Sequence, residues 1–518
     1  MWSPRTRDAW LVGVLLASIL ALNLAGARHL SVTYDEPSHF RYGQQILAGD
    51  ATRFDDSKMP FSALNAGSSA LIERLQGTSF ANADARVAAG RFATMLFSLL
   101  TAVCVWRWSS DLYGRPAGLF ALTLYAFEPN LLAHAQLVTT DIYATGTIAW
   151  ALYAFWRFLR DGGWRWAMVS SLAIGAAQLA KYTAVFLFPL CAVIALGFHA
   201  NAIREEIGRG GWAGLRRRAA TATGIAVLVC VVSLLVVNAG FLFDRTFTPL
   251  SDYAFRSEMF RGLQRAMAPF GALPVPVPYP YLEGLDWIVQ RERTGEGYGS
   301  IYLLGELRRA QGFTGYYLVA ALYKVPVAVL VIWLAALASL AWRRGREGLS
   351  RHEWVLVCPL VFFTIYFNVF YRAQIGLRFF LIVFPLLHVL SGRLVRDWGT
   401  SSRALRLGLA TSLVYLIAST ASYYPHFIPY FNELVGNRLL AYRILADSNL
   451  DWRQHLWYLE RYQAAHPDAL LEPDGPTAGT IIVGINALTG VAGDPGRFRW
   501  LRDNFTDRKS TRLNSSHQ

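Results

Sequence analysis

The sequence predicts an all-α, polytopic membrane protein, and three observations predict it. Of the 518 residues, 54% are hydrophobic and only 16% are charged, whereas a soluble domain carries about 25% charged residues. Eleven apolar stretches approach the roughly 20 residues that a helix needs to cross a bilayer: 8–27, 89–107, 116–132, 139–159, 164–180, 182–199, 220–243, 315–342, 353–371, 376–392 and 406–423. The arginines, finally, are distributed as the sidedness of membrane insertion requires.

The first stretch has no small-residue cleavage site behind it and reads as a retained anchor. Glu128, Pro129, Asn130 and His134 interrupt the third and fourth stretches. With the N-terminus in the cytoplasm, the alternate loops hold Arg204, Arg209, Arg216, Arg217 and Arg218, then Arg343, Arg344, Arg346 and Arg351, then Arg393, Arg396, Arg403 and Arg406. The short connectors on the opposite side carry only Lys181, Arg372 and Arg378. An odd number of spans fits this asymmetry, because one miscounted helix would invert every later loop. The reading places the chain in an inner (plasma) membrane.

Three long segments then fall outside: 28–88, 244–314 and 424–506. The second is rich in proline and aromatics, from Pro274 to Tyr281. The third is polar, with strand-like Thr480–Val483 near its end. The stretch 507–518 reads as translated adapter sequence rather than protein, so a natural C-terminus is expected to differ from the one given. Cys104, Cys191, Cys230 and Cys358 each lie in an apolar run with no paired spacing and read as small core residues.

The stretch Thr33-Tyr34-Asp35-Glu36-Pro37-Ser38-His39 follows the first span directly. Pro37 suits a first helical turn, which sets Asp35 and Glu36 at a helix start, where the dipole favours negative charge. Two readings follow: solvated capping carboxylates, or a catalytic base at the membrane surface. Asp141 opens the fourth span on the same side; Thr139, Thr140 and Asp141 are all capping types, while an acid at membrane depth is a functional candidate. Lys181, Arg372 and Arg378 also lie on that side. One such cation suits an anionic headgroup; three beside acids suit a phosphate, for which arginine offers a fork and lysine a point charge. His39 shares a helical face with Glu36 and reads as a hydrogen-bonding group, since no further ligands stand at metal spacing. No phosphate-binding loop, nucleophile elbow or dinucleotide fingerprint is present, and the basic runs are accounted for by topology, so nucleotide hydrolysis and nucleic-acid binding have no support.

These motifs together resemble the GT-C glycosyltransferases, nearest to protein O-mannosyltransferases and the lipid A aminoarabinose transferases of the bacterial branch, which share a glycosyltransferase-39-like module. Asp35-Glu36-Pro37-Ser38-His39 is similar to the family's first outer-loop acidic motif, and Glu128-Pro129-Asn130 through Thr140-Asp141 to its second stretch. Leu303-Leu304-Gly305-Glu306, Tyr316-Tyr317, Lys324-Val325-Pro326 and Ile375-Gly376-Leu377-Arg378-Phe379 resemble later blocks. Tyr424-Pro425-His426, Tyr430-Phe431-Asn432-Glu433 and Asp447-Ser448-Asn449-Leu450-Asp451-Trp452 are similar to the end of the membrane region in the bacterial branch. The likeness runs over most of 30–455. One element departs: where relatives carry His-Pro-Pro-Leu, this chain has Lys58-Met59-Pro60-Phe61, a difference that bears on the acceptor.

The resemblance implies transfer of a sugar from a polyprenyl-phosphate donor, reached from the bilayer, to an extracytoplasmic protein, lipid or glycan, with inversion and without a metal or other cofactor. It implies Asp35 as the base, Glu36 as a group orienting the loop or acceptor, and Asp141 as a positioning acid. Arg378, Arg372, Lys181 and Lys58, in falling order, are its implied phosphate partners, and His39 lines the site. A transporter or flippase of lipid-linked sugar is the alternative; such proteins often show repeated halves, which this sequence lacks.

Overall fold

The computed structural model describes residues 4–50, 52, 58–342 and 349–504. The 507–518 stretch, Ser57, and Arg343, Arg344 and Arg346 lie outside these. Helices α1 (Pro4–Ala27), α2 (Glu36–Leu47), α3 (Ser62–Gln76), α4 (Ala83–Tyr113), α5 (Arg115–Ala126) and α6 (Pro129–Ala135) come first. Then follow α7 (Asp141–Asp161), α8 (Trp164–Gln178), α9 (Leu187–Gly208) and α10 (Trp212–Gly240). After the short α11 (Glu258–Ala266) and α12 (Tyr279–Thr294) come the strands β1 (Ser300–Leu303) and β2 (Glu306–Arg309). The bundle resumes with α13 (Tyr316–Lys324), α14 (Val327–Trp342), α15 (Arg351–Ile365), α16 (Val383–Ser391) and α17 (Arg403–Ala421).

All eleven apolar stretches lie mainly in helices, so the architecture is the expected all-α bundle. Among the described residues, seven helices have the length and apolarity to cross a membrane: those within α1, α4, α9, α10, α15, α16 and α17 with their short extensions; Val327–Ala341 is a shorter apolar helix. The expected 116–132 span is not one helix. Phe127 ends α5, and Glu128 starts α6 by accepting the Leu131 N–H at 2.8 Å. Of the residues that interrupted the apolar pattern, Glu128 is therefore the break itself, and Pro129, Asn130 and His134 lie in α6. Likewise, α4 begins six residues earlier than its apolar run suggests, because Asn82 caps it by accepting from Ala85 N–H.

The core runs through α4, α5, α7 and α16, whose facing residues, including Trp108, Tyr125, Leu152 and Phe384, are at most 1% exposed. Cys104, Cys191 and Cys358 are buried as expected; Cys230 is not, because it lies on the outward face of α10. The hairpin of β1 and β2 turns at Leu304 and Gly305, both at positive φ (51° and 87°), the backbone of a tight two-residue turn. The Leu304 N–H donates to Ile444 O at 2.8 Å, which ties the hairpin to the C-terminal region. In that region, the expected strand at Thr480–Val483 is a two-residue pairing of Ile481–Ile482 with Leu470–Leu471.

One buried ion pair locks the first loop to the bundle. Arg91, in the middle of α4 and wholly buried, donates Nε to Glu36 Oε1 at 2.8 Å and Nη2 to Glu36 Oε2 at 2.7 Å. Glu36 also accepts the N–H of Thr33 (2.7 Å) and of Val138 (2.9 Å). The remaining Arg91 donors reach the carbonyls of Ala27, Leu30 and Ser31. Every hydrogen-bonding position of this pair is thereby used, which is what lets two charges sit out of water. On the other side of α2, Gly43 touches α3 so closely that a Cβ there would lie 2.2 Å from Ser62 O.

Removing one partner strands the other's charge. Arg91→Ala should cost about 3–5 kcal/mol of stability, read as a lowered unfolding midpoint in detergent, and Arg91→Met with Glu36→Gln should recover most of the loss. An unchanged midpoint for Arg91→Ala would refute the structural role of the pair.

Candidate active site

Asp35 occupies the N-cap position of α2, yet its side chain makes no capping bond. Oδ2 instead accepts from Arg378 Nη1 at 2.8 Å. The capping reading of Asp35 is therefore not the one the structure adopts. The two adjacent acids part company here: Glu36 turns inward to Arg91, and Asp35 turns toward the far end of the chain. Glu36 is fully buried, and its bonds tie the first loop to α4 and to Val138.

Arg378 opens the 3-10 turn Leu377–Ile382 that leads into α16. Its guanidinium reaches a second carboxylate, Asp141 Oδ2, at 4.0 Å. It lies over the Trp452 ring, 4.2 Å from the centroid, and Phe379 lies at 5.0 Å. Its Nε is buried with no hydrogen-bond partner among the described residues. A guanidinium has five N–H donors, so this one keeps unused donor capacity inside the site.

Asp141, the first residue of α7, caps nothing; Oδ1 accepts from Lys181 Nζ at 2.7 Å. The Lys181 ammonium sits 4.0 Å from the centroid of Phe379. The His134 Nδ1 is buried, without a hydrogen-bond partner among the described residues, and within electrostatic reach of Asp141, Arg378 and Lys181. Two acids and two cations from four distant parts of the chain thus converge at one end of the bundle.

His39 is 6% exposed, its Nδ1 3.4 Å from Ser62 Oγ. Burial, and then the nearby Lys58, pull its pKa down to about 3, so it is neutral at physiological pH. Lys58 lies within electrostatic reach of both Asp35 and His39. Burial pushes the Asp35 carboxyl up, but the charge and hydrogen bond of Arg378, with the charge of Lys58, outweigh that and hold it below the usual carboxylate range.

Arg372 does not join this group. Its N–H donates to Glu292 Oε2 at 2.6 Å and its guanidinium to Ala310 O at 3.3 Å. It shares a turn with Arg378, but Gly376, at φ 149°, redirects the chain between them.

The site has a third wall that residue type alone did not flag. Residues 446–454 run between the first loop and the Arg378 turn. Ser31 N–H donates to Gln454 O (3.0 Å) and Tyr34 N–H to Trp452 O (3.1 Å). Ser448 Oγ donates to Ile375 O, and Leu377 N–H donates to Asn449 Oδ1 at 3.0 Å. Lys324 Nζ donates to Ile428 O (2.7 Å) and Asn449 O (2.6 Å), so it braces this wall rather than facing a substrate. Asp447 lies within electrostatic reach of Arg378 and Asp35. The motif Asp447–Trp452 was the only signal for it, and that signal carried no role.

Comparison with known proteins agrees with this architecture. Residues 76–236, which include α4 to α9 and Asp141 and Lys181, match the family model of dolichyl-phosphate-mannose-protein mannosyltransferases. No curated protein matches the chain in sequence. Among solved structures, the chain is similar to the apo oligosaccharyltransferase of Archaeoglobus fulgidus, with TM-score 0.53, 14% identity, and coverage of 82% of this chain and 56% of that one. It is similar too to AglB of the same organism in complex with an inhibitory peptide and a dolichol-phosphate, with TM-score 0.52, 15% identity and coverage of 90% and 59%. ArnT from Cupriavidus metallidurans bound to undecaprenyl phosphate gives TM-score 0.47 and 15% identity over 85% of this chain and 73% of that one. The chain thus spans little more than half the length of the two archaeal structures. The fold is that of the GT-C glycosyltransferases, as the motifs led us to expect.

At this site the ion pairs themselves can be tested. Asp141 is nearly fully buried against Lys181, so Lys181→Met should lower the unfolding midpoint, and Lys181→Met with Asp141→Asn should restore it. Additive losses in the double variant would show that the two groups do not form a pair.

Proposed function

We propose that this chain is a membrane glycosyltransferase that moves a sugar from a polyprenyl-phosphate donor to a hydroxyl-bearing acceptor on the extracytoplasmic side of a plasma membrane. One observation carries the reading: Asp35 and Asp141 meet Arg378 and Lys181 at a single end of a GT-C bundle, with the Arg378 Nε donor buried and unpaired. The lipid-phosphate named for the matching family and for the AglB complex is the ligand class that such cations suit.

In the proposed reaction, Asp35 takes the proton of the acceptor hydroxyl. The acceptor oxygen attacks the anomeric carbon, and the bond from that carbon to the phosphate oxygen breaks. The electron pair leaves on the polyprenyl phosphate, where Arg378 and Lys181 stabilise the developing charge. A single displacement of this kind inverts the anomeric centre. The Arg378 contact makes Asp35 a weak base in the free enzyme. A donor phosphate that engages Arg378 would relieve that effect, so the base gains strength when its substrate is present. Asp141 keeps Lys181 in place, and Lys58 and His39 border the acceptor side.

Asp35→Asn should leave the protein folded and reduce transfer of labelled sugar from the polyprenyl-phosphate donor by roughly 10²- to 10⁴-fold; turnover at the wild-type rate would refute the base. Arg378→Ala should raise the donor KM, while Arg372→Ala should leave it unaltered. Equal effects of the two would place the phosphate elsewhere. A reporter fused after Tyr424 should be extracytoplasmic, and cytoplasmic activity there would invert the assumed orientation.

A further inference from the structure

We infer that Asp447 is a positioning residue that accepts hydrogen bonds from the hydroxyls of the donor's sugar, so that it selects the sugar-bearing lipid over the bare lipid phosphate. The inference rests on the transferase reading above.

Asp447 is held in place by more constraints than a loop acid normally has. It is a non-glycine residue at φ 59°, a backbone conformation that costs energy for most side chains and that Asp and Asn tolerate best. Its N–H donates to Asn486 Oδ1 at 2.8 Å, and its Oδ1 accepts from the Ser448 N–H at 2.6 Å. The next two residues are fixed to the Arg378 turn through Ile375 and Leu377. Gly376 approaches so closely that a Cβ there would lie 2.2 Å from Ser448 Oγ. None of these bonds uses the second carboxylate oxygen, Oδ2, which has no hydrogen-bond partner among the described residues.

The charges around Asp447 are Arg378, Asp35 and Asp451. Arg378 is the proposed partner of the donor phosphate. The anomeric carbon is bonded to that phosphate, so a group near both Arg378 and the base is placed to meet the sugar ring. A carboxylate there has the chemistry to recognise a sugar, because one oxygen can accept from neighbouring hydroxyls, and Trp452 is already committed to stacking on Arg378. Burial, reinforced by Asp35, raises the Asp447 pKa to about 6 against the pull of the Ser448 N–H and Arg378. As pH falls through 6 the group takes up a proton and loses part of its acceptor capacity.

The test compares binding of undecaprenyl phosphate with that of its mannosyl, glucosyl and 4-aminoarabinosyl derivatives, using full-length protein in detergent. The wild type should bind at least one sugar-bearing lipid more tightly than the bare lipid phosphate. Asp447→Asn, which keeps the shape and tolerates the same backbone, should weaken that lipid roughly 10- to 100-fold and leave undecaprenyl phosphate unaltered. Arg378→Ala should weaken both. The wild-type preference for the sugar-bearing lipid should fade below about pH 6, and the Asp447→Asn variant should lack that step. Wild-type protein that binds no lipid phosphate at all would refute the transferase reading. Wild-type protein that binds them without preferring any sugar, or an Asp447→Asn variant with the preference intact, would refute the role of Asp447 alone. Unfolding midpoints of the variant and wild type should agree, and a lowered midpoint with equal losses for both lipid classes would also refute it.

Discussion

An α-helix turns by about 100° from one residue to the next, so two adjacent acids at its start cannot serve the same partner. This constraint shapes the whole site. Glu36 is drawn into the bundle by Arg91 and by two backbone N–H groups. Its neighbour Asp35 then faces a different direction, and that direction holds Arg378. The buried pair fixes where Asp35 points more firmly than any bond Asp35 itself makes, because the pair cannot be broken without leaving a charge in a medium that solvates it poorly.

The balance of charge at the site follows from that geometry. Asp35 and Asp141 share Arg378 between them, and Asp141 also holds Lys181. Each cation is paired, yet each has N–H donors to spare. Such an arrangement keeps positive charge at a membrane surface without leaving it bare, and it gives an anion donors to join rather than ions to displace. The aromatic rings of Trp452 and Phe379 close over the cations and keep water from them.

Much of this could be read from the chain. The asymmetry of arginine between loops put Asp35, Asp141, Lys181 and Arg378 on one side before any coordinates, and the bundle brings those four together. The helical class was legible from apolar length alone. What was not legible depended on three-dimensional proximity. Arg91 sits inside an apolar run that reads as a plain span, and only its contact with Glu36 gives it a purpose. Arg372 is a cation at the right depth, six residues from Arg378, but the left-handed turn at Gly376 separates their directions. Phe127 and Glu128 look like a blemish in a long helix, and they are its end. Asp447 lies in a polar region where an acid is unremarkable until its neighbours are known.

The backbone pairing between the first loop and residues 452–454 has a consequence for biogenesis. Ser31 Oγ accepts the N–H of Trp457 across a separation of 426 residues. During synthesis, the first loop is made long before the segment that walls it in. The early helices can pack one after another, but the site is incomplete until residues 446–457 have been made. Contacts so distant in sequence close late, so the wall formed by residues 446–454 is among the last parts of the site to dock.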